Sequence, residues 1–361
     1  MRPEGPAESS PARKCREGEI ENRSPFRDGR EGVIIVTLDD IRQAQQRLHS
    51  VAARTPLVAY EEDGRRLWFK PESFQPIGSF KLRGAYNKIA SLSDEERRRG
   101  VITYSSGNHA QGVAYSARAL GAKAVVVMPR KAPVIKIEAT KALGAEIVPV
   151  GPTSGERQAR AEELAAQHGY VVIPPFNDEK IIAGQGTVGL EILEDLPDVG
   201  LVLVPVGGGG LASGVATAVK LLRPQAKVIG VEPELAADAQ ASLRAGKIVS
   251  WPGEKVGRTL ADGLRTQHLG EITFEHIRHY VDDIVTVSED EIREAMRRLA
   301  LGARLVAEPS GAVTSAAFFF HAHELPRAEK TVAIISGGSV EPQLLASVLD
   351  GGWLEATVSA D

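Results

Sequence analysis

Four short stretches of this chain hold residues that could do chemistry. The first is residues 73–84, Ser-Phe-Gln-Pro-Ile-Gly-Ser-Phe-Lys-Leu-Arg-Gly, where Lys81 stands after Phe80 among turn-forming residues. A lysine amine acts as nucleophile or base only when neutral, and burial or a nearby cation makes it so; otherwise Lys81 is a solvated lysine at a helix start. The second stretch is Val206-Gly207-Gly208-Gly209-Gly210-Leu211, after an apolar run and before a helical one. Successive glycines turn several N–H groups toward one point, and the helix dipole adds positive potential, so this is an anion cup suited to a phosphate. No Gly-Lys-Ser/Thr follows, which excludes a P-loop. Gly207, Gly209 and Ala212 also fit G-x-G-x-x-A, with Glu232 about twenty residues on, so a dinucleotide site stays open here. The third stretch is Ser105-Ser106-Gly107-Asn108-His109. Its hydroxyls and free helix-start N–H groups suit a carboxylate, and Asn108 can hydrogen-bond a ring oxygen; an ordinary N-cap is the alternative. The fourth, Ser336-Gly337-Gly338, puts a hydroxyl and a thin backbone after the apolar run 332–335.

The elements around these stretches alternate. The spacing predicts a helix starting after Thr37, then strands over 67–70, 101–104, 123–128, 146–150, 170–173, 201–206, 227–231 and 331–335. Helices are expected over 81–92, 109–120, 133–143, 156–168, 187–196, 211–222, 289–301 and 310–320, several closing on a glycine such as Gly121, Gly144 or Gly169. The strand segments are continuous apolar runs, such as Leu201-Val202-Leu203-Val204, so the sheets are mostly parallel and covered on both faces. There are too many βα units for one small sheet. The expected architecture is α/β, with two open, mostly parallel twisted sheets flanked by helices and a cleft between two domains. The larger takes 33–97 and 179–361, the smaller 98–178. In such folds ligands bind beyond the carboxyl ends of the strands, which is where the four stretches fall.

Composition narrows the classes. A net charge of −4 gives no basic surface for nucleic acid. No apolar run reaches the roughly 18 residues of a membrane helix. The single cysteine, Cys15, excludes an internal disulfide framework and points to a reducing, cytoplasmic setting. Residues 1–32 are Pro/Gly/Ser-rich with seven acidic and seven basic residues, and are expected to form a disordered tail. They lack the apolar core of a signal peptide and carry too many acids for a transit peptide.

A lysine, a phosphate cup, a carboxylate loop and a lone hydroxyl at strand ends together define a pyridoxal phosphate site; a dinucleotide enzyme would need neither Lys81 nor Ser336. At this point Ser-Phe-Lys-Leu-Arg-Gly-Ala, Ser-Ser-Gly-Asn-His-Ala-Gln-Gly-Val-Ala, Ile-Ala-Gly-Gln-Gly-Thr, Pro-Val-Gly-Gly-Gly-Gly-Leu and Ser-Gly-Gly carry a resemblance. In order and spacing they look like the fold type II (tryptophan synthase β-like) pyridoxal phosphate enzymes, within the threonine/serine dehydratase and serine racemase group, over about residues 37–350.

The resemblance implies that Lys81 binds the cofactor covalently and later takes the substrate's Cα proton, with Phe80 beside the ring. It implies that Asn108 meets the phenolic oxygen, that Gly207, Gly208, Gly209, Gly210 and Leu211 hold the phosphate, and that Ser336 meets the pyridine nitrogen. Gly263 and Glu308 fall at family positions near the cofactor. Ser105, Ser106, Gly107, Asn108 and His109 would take the substrate carboxylate. The implied reaction removes water from L-threonine or L-serine, giving 2-oxobutanoate or pyruvate and ammonia. Ser106 also matches the racemases' second acid/base, so a serine racemase with dehydratase side activity stays open, as does a dehydratase for 3-hydroxyaspartate. Phe176 looks more like the dehydratases, and Pro76 and Ile77 replace the mammalian racemase's nucleotide-contacting pair. Glu232, Ala236 and Asp238 resemble the racemase's divalent-metal loop, an all-oxygen set for Mg²⁺ or Ca²⁺. Isoleucine control is not expected, and the family implies a homodimer or larger homo-oligomer.

Overall fold

Runs that are apolar end to end, such as Leu201–Pro205 with all five residues buried, bury both faces only inside a covered sheet. The computed structural model pairs them in that way. It describes residues 35–351 apart from Asp63, Ser106, Pro133 and Pro152. The expected tail 1–32, with Cys15, lies outside the described residues, and so does Ser106.

The first element of the described residues is α1 (Leu38–Leu48), where Thr37 and Asp40 form a capping box. An antiparallel pair follows, β1 (Val58–Glu62) and β2 (Arg65–Pro71). After α2 (Lys81–Ala90) and α3 (Asp94–Arg99) comes a run of alternating elements: β3 (Val101–Tyr104), α4 (Asn108–Ala119), β4 (Ala124–Pro129), α5 (Val134–Ala142), β5 (Glu146–Val150), α6 (Ser154–His168) and β6 (Val171–Val172). These four strands form an all-parallel sheet in the order β5-β4-β3-β6. The chain continues with α7 (Glu179–Asp195), β7 (Leu201–Pro205), α8 (Gly210–Leu222) and β8 (Lys227–Pro233). It ends with α9 (Asp238–Ala245), α10 (Gly253–Val256), α11 (Glu271–Tyr280), β9 (Asp283–Val287), α12 (Glu289–Arg298), α13 (Pro309–Phe320), β10 (Thr331–Ile335) and α14 (Pro342–Asp350).

The second sheet has the order β1-β2-β10-β7-β8-β9, parallel except for β1. The last strand, β10, is therefore inserted between β2 and β7, with Ala333 opposite both Phe69 and Leu203. This is a topological switch point. The segments leaving β2, β10 and β7 emerge side by side at one edge, and they are the lysine stretch, Ser336-Gly337-Gly338 and the glycine loop. No helix among the described residues is long and apolar enough to cross a membrane.

Three expectations need correction. The helix read from 187 starts at Glu179, capped by Asp178. Its glycines look like breaks but are contact points, because α2, α7 and α8 meet backbone to backbone. A Cβ on Gly184 would lie 2.6 Å from the Arg83 carbonyl oxygen, and one on Gly214 would collide with that of Ile182. The helix read over 289–301 leaves α geometry after Arg298 for a π turn, Leu299–Ala303, and Arg304 then takes φ 59°. Finally, β1, α3, α9, α10, α11, β9 and α14 were not anticipated.

Candidate active site

Lys81 is the first residue of α2, and its Nζ donates to the Pro175 carbonyl at 2.8 Å. Burial lowers its ammonium from the ordinary 10.5 to about 8. In cofactor-free protein, trace acylation of lysines followed by peptide mapping should therefore show Lys81 gaining reactivity through pH 8, while exposed lysines still gain above pH 10. A midpoint for Lys81 near 10 would contradict the burial argument.

A closed circuit of contacts runs around this amine. The Phe80 N–H donates to the Ser336 carbonyl at 3.0 Å, and Ser79 bridges to Gly337. The Ser336 hydroxyl, buried, donates to the Ser310 carbonyl at 3.3 Å. Ser310 Oγ accepts from the Gly263 N–H at 2.9 Å, and a Cβ on Gly207 would lie 3.3 Å from the Gly263 carbonyl oxygen. Next in the loop, Gly208 faces the Phe176 ring so closely that a side chain there would collide with it. Phe176 follows Pro175, which closes the circuit at Lys81. The Gly208 carbonyl accepts from Thr273 Oγ1 at 2.7 Å, so α11 steadies the cup from behind.

Four helices start at this region without a side-chain cap, α2, α4, α8 and α13, and two of them are preceded by glycine. The cap of α8 is Gly209, with φ 91°, and that of α4 is Gly107; neither offers a side-chain hydrogen bond. By contrast α1, α3, α6, α7 and α12 are capped by Thr37, Ser93, Thr153, Asp178 and Ser288. Uncapped N–H groups with a helix dipole behind them suit anions. The start of α8 matches a phosphate and the start of α4 a carboxylate.

Asn108 is not a cap. It is the first helical residue of α4, and its Nδ2 donates to Glu308 Oε1 at 2.7 Å. Burial, and after it the Asp262 charge, push the Glu308 carboxyl up to about 8. Ser105 is half-buried, its Oγ accepting weakly from the Gly107 N–H at 3.4 Å. The His109 ring is turned inward against the Ile173 carbonyl at 3.0 Å. Burial, with Lys81 nearby, lowers its pKa to about 3, so it is neutral and only its backbone N–H is available at the helix start.

Glu232, Ala236 and Asp238 lie apart from this circuit, at the end of β8 and the start of α9. Glu232 is fully buried and accepts from the N–H groups of Ala239 and Gln240 at 3.0 and 2.8 Å. Both carboxylate oxygens of Asp238 are buried with no hydrogen-bond partner. Burial, with Asp238 beside it, raises Glu232 well above the usual carboxylate range, and burial raises Asp238 to about 7. Among the described residues no group of three or more His, Cys, Asp or Glu side chains is placed to hold a metal ion. A cation here would rest on two carboxylates, a carbonyl and water.

One cluster escaped the sequence reading. Arg83, two residues after Lys81, bonds Glu72 through Nε at 2.7 Å and Glu191 through Nη1 at 2.7 Å. Lys70 Nζ donates to Glu191 and to the Thr55 carbonyl, each at 2.6 Å. All four charged side chains are buried. The available signal was a lone charge in an apolar stretch, as at Lys70 after Leu67-Trp68-Phe69 and Glu191 after Val188-Gly189-Leu190, because such charges stay buried only when paired.

An amine with lowered pKa, a glycine phosphate cup and a buried serine at the switch point of a parallel sheet are the parts of a pyridoxal phosphate enzyme. The family model "Pyridoxal-phosphate dependent enzyme" matches residues 26–337, and the chain belongs to that family. It is 46% identical to the L-threonine ammonia-lyase of Thermotoga maritima, over 89% of this chain and 80% of that one. It is 42% identical to the L-threo-3-hydroxyaspartate ammonia-lyase of Saccharomyces cerevisiae, over 88% and 98%. The structure of maize serine racemase superimposes with a TM-score of 0.82 at 37% identity, over 90% of this chain and all of that one.

Proposed function

We propose that this chain is a pyridoxal phosphate-dependent ammonia-lyase that removes water from L-threonine and L-serine, yielding 2-oxobutanoate and pyruvate with ammonia. The observation that carries this is the Lys81 amine, tuned by burial to about 8 and enclosed by the circuit that joins the glycine loop to Ser336. The residues present fit the cofactor: the cup has no room for a side chain at Gly208, and the starts of α4 and α8, each after a glycine, carry no side-chain cap. When bound, pyridoxal phosphate supplies an electron-withdrawing ring that makes the Cα proton acidic.

The chain's own residues do the rest. Gly207, Gly208, Gly209, Gly210 and the Leu211 N–H hold the phosphate. Phe80, Asn108, Gly263, Glu308 and Ser336 would line the ring, the Ser336 hydroxyl being the group that would serve its nitrogen. The start of α4 takes the substrate carboxylate through the Ser105–His109 segment. Lys81, near neutral pKa, takes the Cα proton as general base. Loss of the β-hydroxyl as water leaves an enamine that water hydrolyses to the 2-oxo acid and ammonia. We assign 33–97 and 179–361 to a cofactor-binding domain and 98–178 to a smaller one, and place the protein in the cytoplasm as a homodimer or larger. The test is ammonia release from L-threonine by the cofactor-loaded protein, before and after borohydride reduction. Release that stops on reduction is expected; none at the outset, from L-threonine or L-serine, would overturn the reading.

Glu232, the Ala236 carbonyl and Asp238 are assigned to a divalent cation such as Mg²⁺, because Asp238 presents two buried oxygens with nothing bonded to them. A ligand held at about a thousand times its Kd adds about 4 kcal/mol of stability. EDTA should accordingly lower the melting temperature by several degrees, added Mg²⁺ should restore it, and Asp238→Asn should abolish both responses. A melting temperature indifferent to EDTA and to Mg²⁺ would remove the assignment.

A further inference from the structure

We infer that Glu308 is a positioning residue that fixes the side-chain amide of Asn108 across the cleft. This deepens, and rests on, the pyridoxal phosphate reading. Asn108 opens α4, which packs on the four-stranded sheet, while Glu308 precedes α13, which packs on the six-stranded sheet. Their side chains meet at 2.7 Å, 200 residues apart in sequence.

Three observations single out this bond. Glu308 stands at the residue before α13, yet its side chain makes no capping bond to that helix and is turned to Asn108 instead. Its Oε1 instead occupies the space that a Cβ on Gly337 would fill, so the glycine after Ser336 admits the carboxyl. Glu308 is also held from below, its N–H donating to the Gly337 carbonyl and its carbonyl accepting from Gly311 and Ala312.

An amide has two unlike ends. The geometry has the Asn108 N–H₂ end donating to Glu308 Oε1 at 2.7 Å; above about pH 8, where burial lets Glu308 ionise, no other end can face it, since a carboxylate only accepts. Glu308 thereby engages one N–H of the Asn108 amide and leaves the second N–H of the same group free to donate to the phenolic oxygen of the cofactor ring. The charged groups near this carboxyl are Asp262 and Lys136, paired with each other across the same cleft, and the Ser339 N–H also bonds it. That second pair joins the same two lobes and leaves the Asn108 bond as the one that reaches the site.

The test reads the bound chromophore rather than turnover. Glu308→Ala, Glu308→Gln, Asn108→Ala and the double variant Glu308→Ala/Asn108→Ala would each be loaded with pyridoxal phosphate, and the pH midpoint of the absorbance change measured. Glu308→Ala and Asn108→Ala should each shift that midpoint by about one unit, the worth of one hydrogen bond to a charged group. Glu308→Gln, nearly isosteric, should fold as the parent and shift it less. The double variant should shift no further than Asn108→Ala alone, because Glu308 acts through Asn108. An unshifted midpoint in Glu308→Ala, or fully additive shifts in the double variant, would overturn the inference. Absence of a covalent chromophore in the unsubstituted protein would overturn both the inference and the cofactor reading beneath it.

Discussion

Lys81→Ala should leave a folded protein with no covalent chromophore and turnover of L-threonine reduced by about 10⁴-fold or more, since one substitution removes both the covalent attachment and the general base. The fold has little to lose. The Nζ makes a single hydrogen bond, to the Pro175 carbonyl, and its charged form is already disfavoured by burial. Alanine is also the better helix former at the first position of α2. The melting temperature of the cofactor-free variant should match or exceed that of the cofactor-free parent. Methylamine added to the loaded variant should recover part of the rate if the loss is chemical. Turnover within tenfold of the parent would show that the wrong lysine had been assigned.

Arg83→Ala should cost about 3–5 kcal/mol of folding stability, because it leaves buried carboxylates without their partner. Burial alone would raise the Glu72 carboxyl; the Arg83 charge and hydrogen bonds, with Lys70 and Thr55, outweigh it and hold Glu72 below its ordinary value. Burial alone would lower Arg83, but the charges and hydrogen bonds of Glu72 and Glu191 outweigh it and raise Arg83 further above its own ordinary value. In the parent, a depressed Glu72 contributes stability that is present above its unfolded pKa and lost as pH falls through the folded one. In the variant, the uncompensated carboxyl titrates high, so the folded state binds a proton that the unfolded state lacks, and stability falls as pH rises toward neutrality. The deficit measured by urea unfolding should therefore be largest at neutral pH and smaller near pH 4. A deficit under 1 kcal/mol at pH 7 would mean that the cluster is wetter than its burial implies.

Much of this site was legible because its residue types are rarely assembled for any other reason. Four glycines between an apolar strand and a helix, and a serine-glycine pair after another strand, mark backbone that must approach a ligand. Continuous apolar strands also gave away the parallel sheets. Long-range order stayed hidden. Nothing local says that β10 inserts between β2 and β7, although that insertion brings Ser336 beside Lys81. The glycines of α7 look like breaks in isolation, because their purpose is the close approach of α2 and α8. The edge strand β1, Val-Ala-Tyr-Glu-Glu, is half exposed and carries too few apolar residues to stand out. The inward turn of His109 depends on the Ile173 carbonyl, 64 residues away. Of the buried charges, Lys70 and Glu191 stand alone in apolar stretches, but Glu72 and Arg83 look like surface residues until their partners are seen.

The reaction itself is tested by incubating the cofactor-loaded protein with L-threonine and, separately, L-serine. The same samples are assayed for 2-oxo acid, ammonia and D-serine. 2-Oxobutanoate and ammonia in equal amounts are expected from L-threonine, and pyruvate from L-serine with little D-serine beside it. D-serine accumulating as fast as pyruvate would contradict that expectation and make the chain a racemase, with Ser106 as the second acid/base. No product from either amino acid, in a protein that holds its chromophore at Lys81, would contradict the substrate assignment and turn attention to 3-hydroxyaspartate.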